Sequence, residues 1–482
     1  MKRRQFITAT AAAAAGLVLE PKTLVLASQR RQKRPNILFI ITDQQHAGMM
    51  SCTSNKWLKT PAMDKLAVSG IRFDRAYACN PVCIPNRFSL QTGLMPSAIG
   101  MGQNGDSRRA EVTYVMIRQS LGCLFRKAGY ETVYGGKVHL PRKMKGVQNL
   151  GYRNLTGNSR QGLADACAKF IEGPHTKPFF LFASFINPHD ICYMAINDFN
   201  RTQGKAPIDN IDSRICESVL DRVRETGDIN NFVEKHCLPL PANHEVPENE
   251  PECIMDKYIN PRPFQAYTRK KWTQNQWRLH RWAYCRLTEM VDKKIGILLD
   301  ALKEAQIEDN TLIVFTSDHG DMDSAHKLEH KQVLYEESVR VPFIMSYKGV
   351  IPKGRVNDTH LISNGLDLLP TLCDYAGIET PKGLPGSSLR PLAEGRKPGQ
   401  WRDFVVSESQ NGRMLRTERF KYTIYDSGKN REQLIDLKND PGEMKNLAKN
   451  KAYKDVLDSH RRLLYRWIER TGDKIAAEYV KI

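Results

Sequence analysis

Three uninterrupted apolar runs, each stopped by a polar cluster, limit what this chain can fold into. Asn36-Ile37-Leu38-Phe39-Ile40-Ile41-Thr42 stops at Asp43-Gln44-Gln45. Pro178-Phe179-Phe180-Leu181-Phe182-Ala183-Ser184-Phe185-Ile186 stops at Asn187-Pro188-His189-Asp190, and Thr311-Leu312-Ile313-Val314-Phe315-Thr316 at Ser317-Asp318-His319-Gly320-Asp321. A strand that is apolar at odd and even positions alike has no wet face and must be covered on both sides, as strands joined by helical crossovers are. Helical patterns lie between the runs. Residues 60–69 open on Pro61 with Asp64 in the first turn, 112–128 close at Gly129, and 164–171 follow. Ala283, Leu287, Met290, Val291, Ile295, Leu298 and Leu302 recur at helical steps and predict a long amphipathic helix. Glu131–Gly136 and 341–345 read as further strands and 367–375 as another helix. The alternation predicts an α/β fold: a large, mostly parallel sheet with helices on both faces. In such sheets ligands sit outside the carboxyl ends of the strands, which makes the polar clusters candidates by position.

At 482 residues the chain is too long for one ordinary domain. Its character changes after Gly395, where 404–407, 413–417 and 422–425 read as short antiparallel strands and 452–470 as a closing helix. We therefore expect a large domain over 34–395 and a smaller C-terminal α+β domain with an antiparallel sheet over 396–482. From 195 to 269 periodicity fades and Pro239, Pro241, Pro247, Pro251, Pro261 and Pro263 cluster, which predicts an irregular insertion that shapes a cleft or forms a surface excursion. Lys2-Arg3-Arg4-Gln5-Phe6 precedes an apolar stretch, so 1–27 reads as an export signal of the bacterial twin-arginine type, and a periplasmic or secreted protein is expected. Glu20-Pro21-Lys22 cuts that stretch short of a membrane span, and no later segment is long and apolar enough to cross one. The eleven cysteines are odd in number and lack a C-x-x-C pair, so neither a zinc site nor a disulfide scaffold is indicated.

One of those cysteines has chemical company. In Cys83-Ile84-Pro85-Asn86-Arg87-Phe88-Ser89-Leu90-Gln91-Thr92-Gly93 a cysteine stands four residues before an arginine with a proline between. The proline stiffens the turn, the arginine keeps a permanent cation beside the thiol, and Thr-Gly ends the segment. A packed thiol and a surface charge would also satisfy the string. Cys79-Asn80-Pro81 also has proline two residues on, but Cys83 occupies the arginine position, so Cys79 reads as structural. The pattern C-x-P-x-R-x₄-T-G resembles the signature of the type I sulfatases, members of the alkaline phosphatase-like superfamily. The resemblance implies that a maturation enzyme oxidises Cys83 to formylglycine and that the hydrated aldehyde is the nucleophile.

Cleaving a sulfate ester calls for positive charge on the sulfate oxygens and a proton for the departing alcohol. Asp43 and Asp318 end two strands and could meet in one site, although singly each is as readily a turn or cap residue. The stretch from Arg34 to Asp43 is similar to the family's opening strand and Thr316-Ser317-Asp318-His319-Gly320-Asp321 to its second metal motif. This implies that Asp43, Gln44, the modified Cys83, Asp318 and His319 bind a divalent metal, calcium in the first instance. Gln44 departs from the commoner Asp and brings one charge fewer. Gly135-Gly136-Lys137-Val138-His139 resembles the family's G-K-x-H segment, which implies that Lys137 binds sulfate and His139 supports the hydrate. By the same carry-over His189 is the leaving-group acid, Lys331 a second sulfate-binding lysine and Arg87 a third cation on the anion. Taken one at a time, such residues are ordinary surface lysines and core histidines. Candidate pocket walls are His46, Gln103, Asn104, His326 and His330.

The 72 Lys+Arg against 53 Asp+Glu give a net charge of +19, a field that favours anionic partners. No basic stripe with interleaved aromatics marks a nucleic-acid surface, so a sulfated polysaccharide or oligosaccharide is the expected partner. The alternatives are a phosphonate monoester or phosphodiester hydrolase of the same superfamily and, from another class, a non-catalytic polyanion-binding protein.

Overall fold

The computed structural model describes residues 34–481. In chain order the strands are β1 (Asn36–Asp43), β2 (Ile71–Phe73), β3 (Ala76–Tyr77), β4 (Glu131–Gly136), β5 (Arg153–Asn154), β6 (Phe179–Pro188) and β7 (Thr311–Ser317). Then come β8 (Phe343–Ser346), β9 (Arg355–Asn357), β10 (Ile362–Ser363), β11 (Val405–Glu408), β12 (Gly412–Arg416), β13 (Phe420–Tyr425) and β14 (Glu432–Asp436). An eight-stranded sheet runs β5-β4-β6-β1-β7-β8-β2-β9. Its pairs are parallel except that β8 runs antiparallel to both β7 and β2.

The three apolar runs are β1, β6 and β7, side by side in the centre. Every residue of β1 is buried. Ile37, Phe39 and Ile41 enter one apolar layer with Phe180, Phe182, Leu312 and Val314. Leu38 and Ile40 face the other, with Leu181, Ile313, Phe315 and, from the helix Gln274–Glu304, Ile295, Leu298 and Leu302. Each strand thus feeds two cores, which is why the runs show no alternation. The expected C-terminal antiparallel sheet is β11-β12-β13-β14, covered by the helix Lys454–Thr471. β11 leans on the chain just before Cys83: the amide of Glu408 donates to the carbonyl of Cys79 at 2.7 Å.

The segment 195–269 corrects an expectation. It is largely helical, with Cys192–Thr202, Ile211–Arg224, Ile229–His236 and Pro263–Lys271 and a π-helical turn at Ile254–Ile259. The helical spacing was present: Cys216, Val219, Leu220 and Val223 line one face and pack on Trp277 and Trp282. The prolines fall between helices, except Pro263 in a first turn, where its missing N–H costs nothing. Asn210 and Asp228 cap two of these helices. The single helix expected over 112–128 is two, Tyr114–Arg118 and Leu121–Lys127. A Cβ on Gly122 would lie 2.3 Å from the Tyr152 ring, so the second piece is set by a close approach to that side chain. All eleven cysteines are free thiols, and no helix among the described residues is long and apolar enough to cross a membrane. The export signal expected over 1–27 lies outside the described residues.

Candidate active site

Parallel register brings the polar clusters together. β4, β6, β1 and β7 are consecutive in the sheet, with Gly136 opposite Ser184, Asp43 opposite Pro188 and Thr42 opposite Ser317. Lys137, His189, Asp43 and Asp318 therefore leave the sheet at one end within a few residues of register. The helix Cys83–Thr92 presents its first residue, Cys83, to the same place and ends at Gly93 in the left-handed conformation. Val82 offers the helix no side-chain cap, and Asn104 Oδ1 takes the Ile84 amide at 3.0 Å instead.

Asp43, Cys83, Asp318 and His319 are fully buried, with ligand atoms within 4.8 Å of one another. Cys83 Sγ is 3.2 Å from His319 Nε2 and 3.7 Å from Asp43 Oδ1, with the ammonium groups of Lys331 and Lys137 at 3.5 and 3.9 Å. Burial and Asp43 push the thiol up, but Lys137, Lys331 and His319 outweigh them and hold it well below its ordinary range. This is a poised thiol among ionisable groups, unlike Cys79, which burial drives up to about 12.

The two carboxylates share a buried guanidinium. Arg87 is 2% exposed; its Nε donates to Asp318 Oδ2 at 2.7 Å and its Nη2 to Asp43 Oδ2 at 3.0 Å. Its Nη1 donates to Ser184 Oγ at 2.8 Å, and Lys137 Nζ reaches Asp43 Oδ2 at 2.6 Å. Against its burial, Lys137, His189, Arg87 and Lys331 hold Asp43 well below the carboxylate range. Asp318 is pushed up to about 6 by burial and by Asp43 beside it. Arg87 and Lys137 balance the pair in charge, and the oxygens turned toward His319 Nε2 and Cys83 Sγ form a set of donors that a dication can use. His319 Nδ1 donates to the Gly320 carbonyl at 2.8 Å, leaving Nε2 turned to the carboxylates. Two carboxylates and an imidazole, with position 83 as a fourth donor, suit a divalent ion.

Gln44 sits at the rim of this set in a left-handed backbone conformation. Its Oε1 accepts from Lys331 Nζ at 2.6 Å and its Nε2 donates to Asp321 Oδ2 at 2.6 Å. His139, also at positive φ, has a buried Nδ1 without a partner, as does half-buried His189. Burial, Lys137 and Lys331 hold His189 well below its ordinary range. A further set with metal-ligand spacing, His189, Asp190 and Asp212, is filled by Arg160, whose guanidinium binds both carboxylates. Ser184 and Arg160 were not legible as site residues: one lies inside an apolar run, the other in a plain polar stretch. Of the pocket-wall candidates, His326 is corrected. It is fully buried with its ring stacked on Tyr335 at 4.1 Å, so packing against that ring leaves it no face for a substrate. Asn104 serves the Cys83 helix, and Gln103 caps the turn Asn104–Arg108. His46 lies 3.5 Å from Asp323 and His330 against the ring of Phe264.

A family model described as Sulfatase matches residues 35–378, and one described as N-sulphoglucosamine sulphohydrolase, C-terminal, matches 324–470. The chain is 30% identical over 474 residues to a Delta 4,5-hexuronate-2-O-sulfatase of Bacteroides thetaiotaomicron, spanning 93% of this chain and 91% of that one. It is 27% identical to an N-acetylglucosamine-6-O-sulfatase of the same bacterium, over 91% of this chain and 88% of the other. A solved 2-O GAG sulfatase superposes with a TM-score of 0.73 at 28% identity, covering 92% of this chain and 94% of that chain.

Proposed function

From the chain's membership of the sulfatase family, and so its activity as a sulfuric ester hydrolase, we propose that it removes sulfate from sulfated saccharides using a formylglycine made from Cys83. The supporting observation is the position of Cys83: first residue of a helix, amid two carboxylates, an imidazole and two ammonium groups. Two relatives named for sulfated sugars, and the net charge of +19, favour an anionic saccharide of the glycosaminoglycan kind. We extend the proposal to a divalent ion, calcium first, held by Asp43, Asp318, His319 and residue 83, with Gln44 at the rim. The twin-arginine pattern supports export to the periplasm or beyond after maturation by a formylglycine-generating enzyme.

When made, the formylglycine supplies a hydrated aldehyde, one hydroxyl for attack on sulfur and the second for later release of sulfate; the metal supplies charge on the sulfate oxygens. The remaining work falls to side chains. Lys137 and Lys331 reach position 83 directly and Arg87 stands beside them on Asp43 and Asp318, three cations to hold the anion. With the sulfate bound, its negative charge offsets the two lysines that keep the free imidazole neutral, and protonated His189 gives its proton to the departing sugar oxygen while His139 draws one from the hydrate. Asp318 and Asp43 keep Arg87 and Lys137 charged and fixed.

Intact-mass measurement of protein co-produced with a maturation enzyme should show a loss of about 18 Da located at residue 83. Desulfation of defined sulfated oligosaccharides should then exceed hydrolysis of a phosphodiester or phosphonate monoester under the same conditions. An active protein with an unmodified Cys83, or one that prefers the phosphorus esters, overturns the reading.

A further inference from the structure

His189 stands on a brace that the reaction chemistry has not yet used. It lies in the short turn His189–Ile191 at the end of β6, where a loop alone would leave its ring free to swing. Arg160 prevents this from both flanks. Its Nη1 and Nη2 donate to Asp190 Oδ1 and Oδ2 at 2.9 and 2.7 Å, and Nη2 also binds Asn187 Oδ1. Nη1 goes on to Asp212, the second residue of the helix Ile211–Arg224. The guanidinium and Asp190 are buried, and a ring nitrogen of His189 lies within 4.8 Å of carboxylate oxygens of both Asp190 and Asp212.

A planar fork that grips the residues before and after the Pro188-His189 pair fixes the backbone from which the imidazole projects. The third contact ties that fork to a helix buttressed by Cys216, Val219 and Leu220 against Trp277 and Trp282. With both carboxylates taken by a cation already, the cluster is an unfavourable metal site and a rigid footing. We propose that Arg160, anchored by Asp212, is a positioning residue for the leaving-group acid, and that the segment 195–269 contributes to catalysis through this anchor. The inference rests on the assignment of His189 as that acid.

The role has a signature that loss of stability does not. Protonation of the leaving oxygen matters for a sugar or alkyl alcohol and little for an activated phenol, because the phenoxide departs without help. In the mature enzyme, Arg160→Gln should lower kcat on an alkyl or sugar sulfate by about 100-fold, the cost of misplacing a catalytic group by an ångström. On nitrophenyl sulfate the same variant should lose less than about 5-fold, with KM little changed on either substrate. Arg160→Lys, which keeps the charge but not the fork, should fall between. Asp212→Asn leaves the Arg160–Asp190 pair in place and should show the same selectivity at smaller size, and it serves if Arg160→Gln does not fold. His189→Ala is the reference and should show the largest selectivity. Equal losses on both substrates, or no loss in Arg160→Gln or Asp212→Asn, overturn the brace. If His189→Ala is itself unselective, the acid assignment fails and takes the brace with it.

Discussion

Replacing Arg87 by methionine would separate the structural from the catalytic use of the buried charges. The substitution keeps most of the volume and removes the cation between Asp43 and Asp318. Asp43 retains Lys137 at 2.6 Å, whereas Asp318 loses its strongest partner and keeps the Gln44 amide at 3.2 Å and His319 at 3.5 Å. Removing one side of a buried ion pair costs roughly 3–5 kcal/mol, most of it the penalty on the charge left behind. Two consequences follow from which group is stranded. First, the loss in chelator should shrink as pH falls: Asp318, already pushed up to about 6 in the folded state, takes up a proton and ceases to be a buried charge. Second, saturating calcium should recover more than half of the loss, because a dication ligated by Asp43 and Asp318 replaces the missing positive charge. Urea unfolding of wild type and variant, at pH 5.5 and 7.5, with chelator and with calcium, gives all four comparisons. A deficit that is the same with and without calcium would refute the placement of the metal on these carboxylates. One that is flat with pH would refute the account of Asp318.

Other outcomes follow from single contacts. Cys83→Ser and Cys83→Ala should abolish turnover while leaving circular dichroism and the unfolding midpoint near wild type; wild-type rates in either would remove the nucleophile from position 83. Gly136 sits at φ +88°, and a Cβ there would meet the Ser184 carbonyl at 2.0 Å, so Gly136→Ala should lose about 3 kcal/mol and displace Lys137, read by urea unfolding and by KM for the sulfate ester. Glu408, buried with both oxygens on Ser97, is pushed up to about 7 by burial. A raised folded-state value means stability that is full below pH 4.5 and lost as pH rises through 7, by at most about 3 kcal/mol. Glu408→Gln should therefore outlast wild type at pH 8 and not at pH 5, and a parallel pair of pH curves would contradict this. Lys331 disfavours the charged form of His189, so Lys331→Gln should move the alkaline fall of kcat/KM on a sugar sulfate to higher pH, whatever it does to the absolute rate.

The linear chain carries the sheet centre and the list of groups that end its strands, because an apolar run without alternation can only be a strand covered on both faces. It also carries the C-x-P-x-R string, whose residues open one helix and so keep their spacing without help from the rest of the fold. The segment 195–269 reads as irregular in sequence since its helices are separated by prolines, and their apolar faces gain meaning only against the tryptophans of the long helix. What Asp43, Asp318, Lys137 and Lys331 do to one another follows from strand order. β1 and β7 are neighbours, with Thr42 opposite Ser317, although 275 positions separate those two residues in the chain. Register then sets charges a few ångströms apart in a water-poor site, where they shift each other's protonation. Arg160 shows the limit most plainly: an arginine in a polar stretch becomes a clamp only once Asn187, Asp190 and Asp212 have been folded around it, and distance in space, which decides that, is not written in the order of residues.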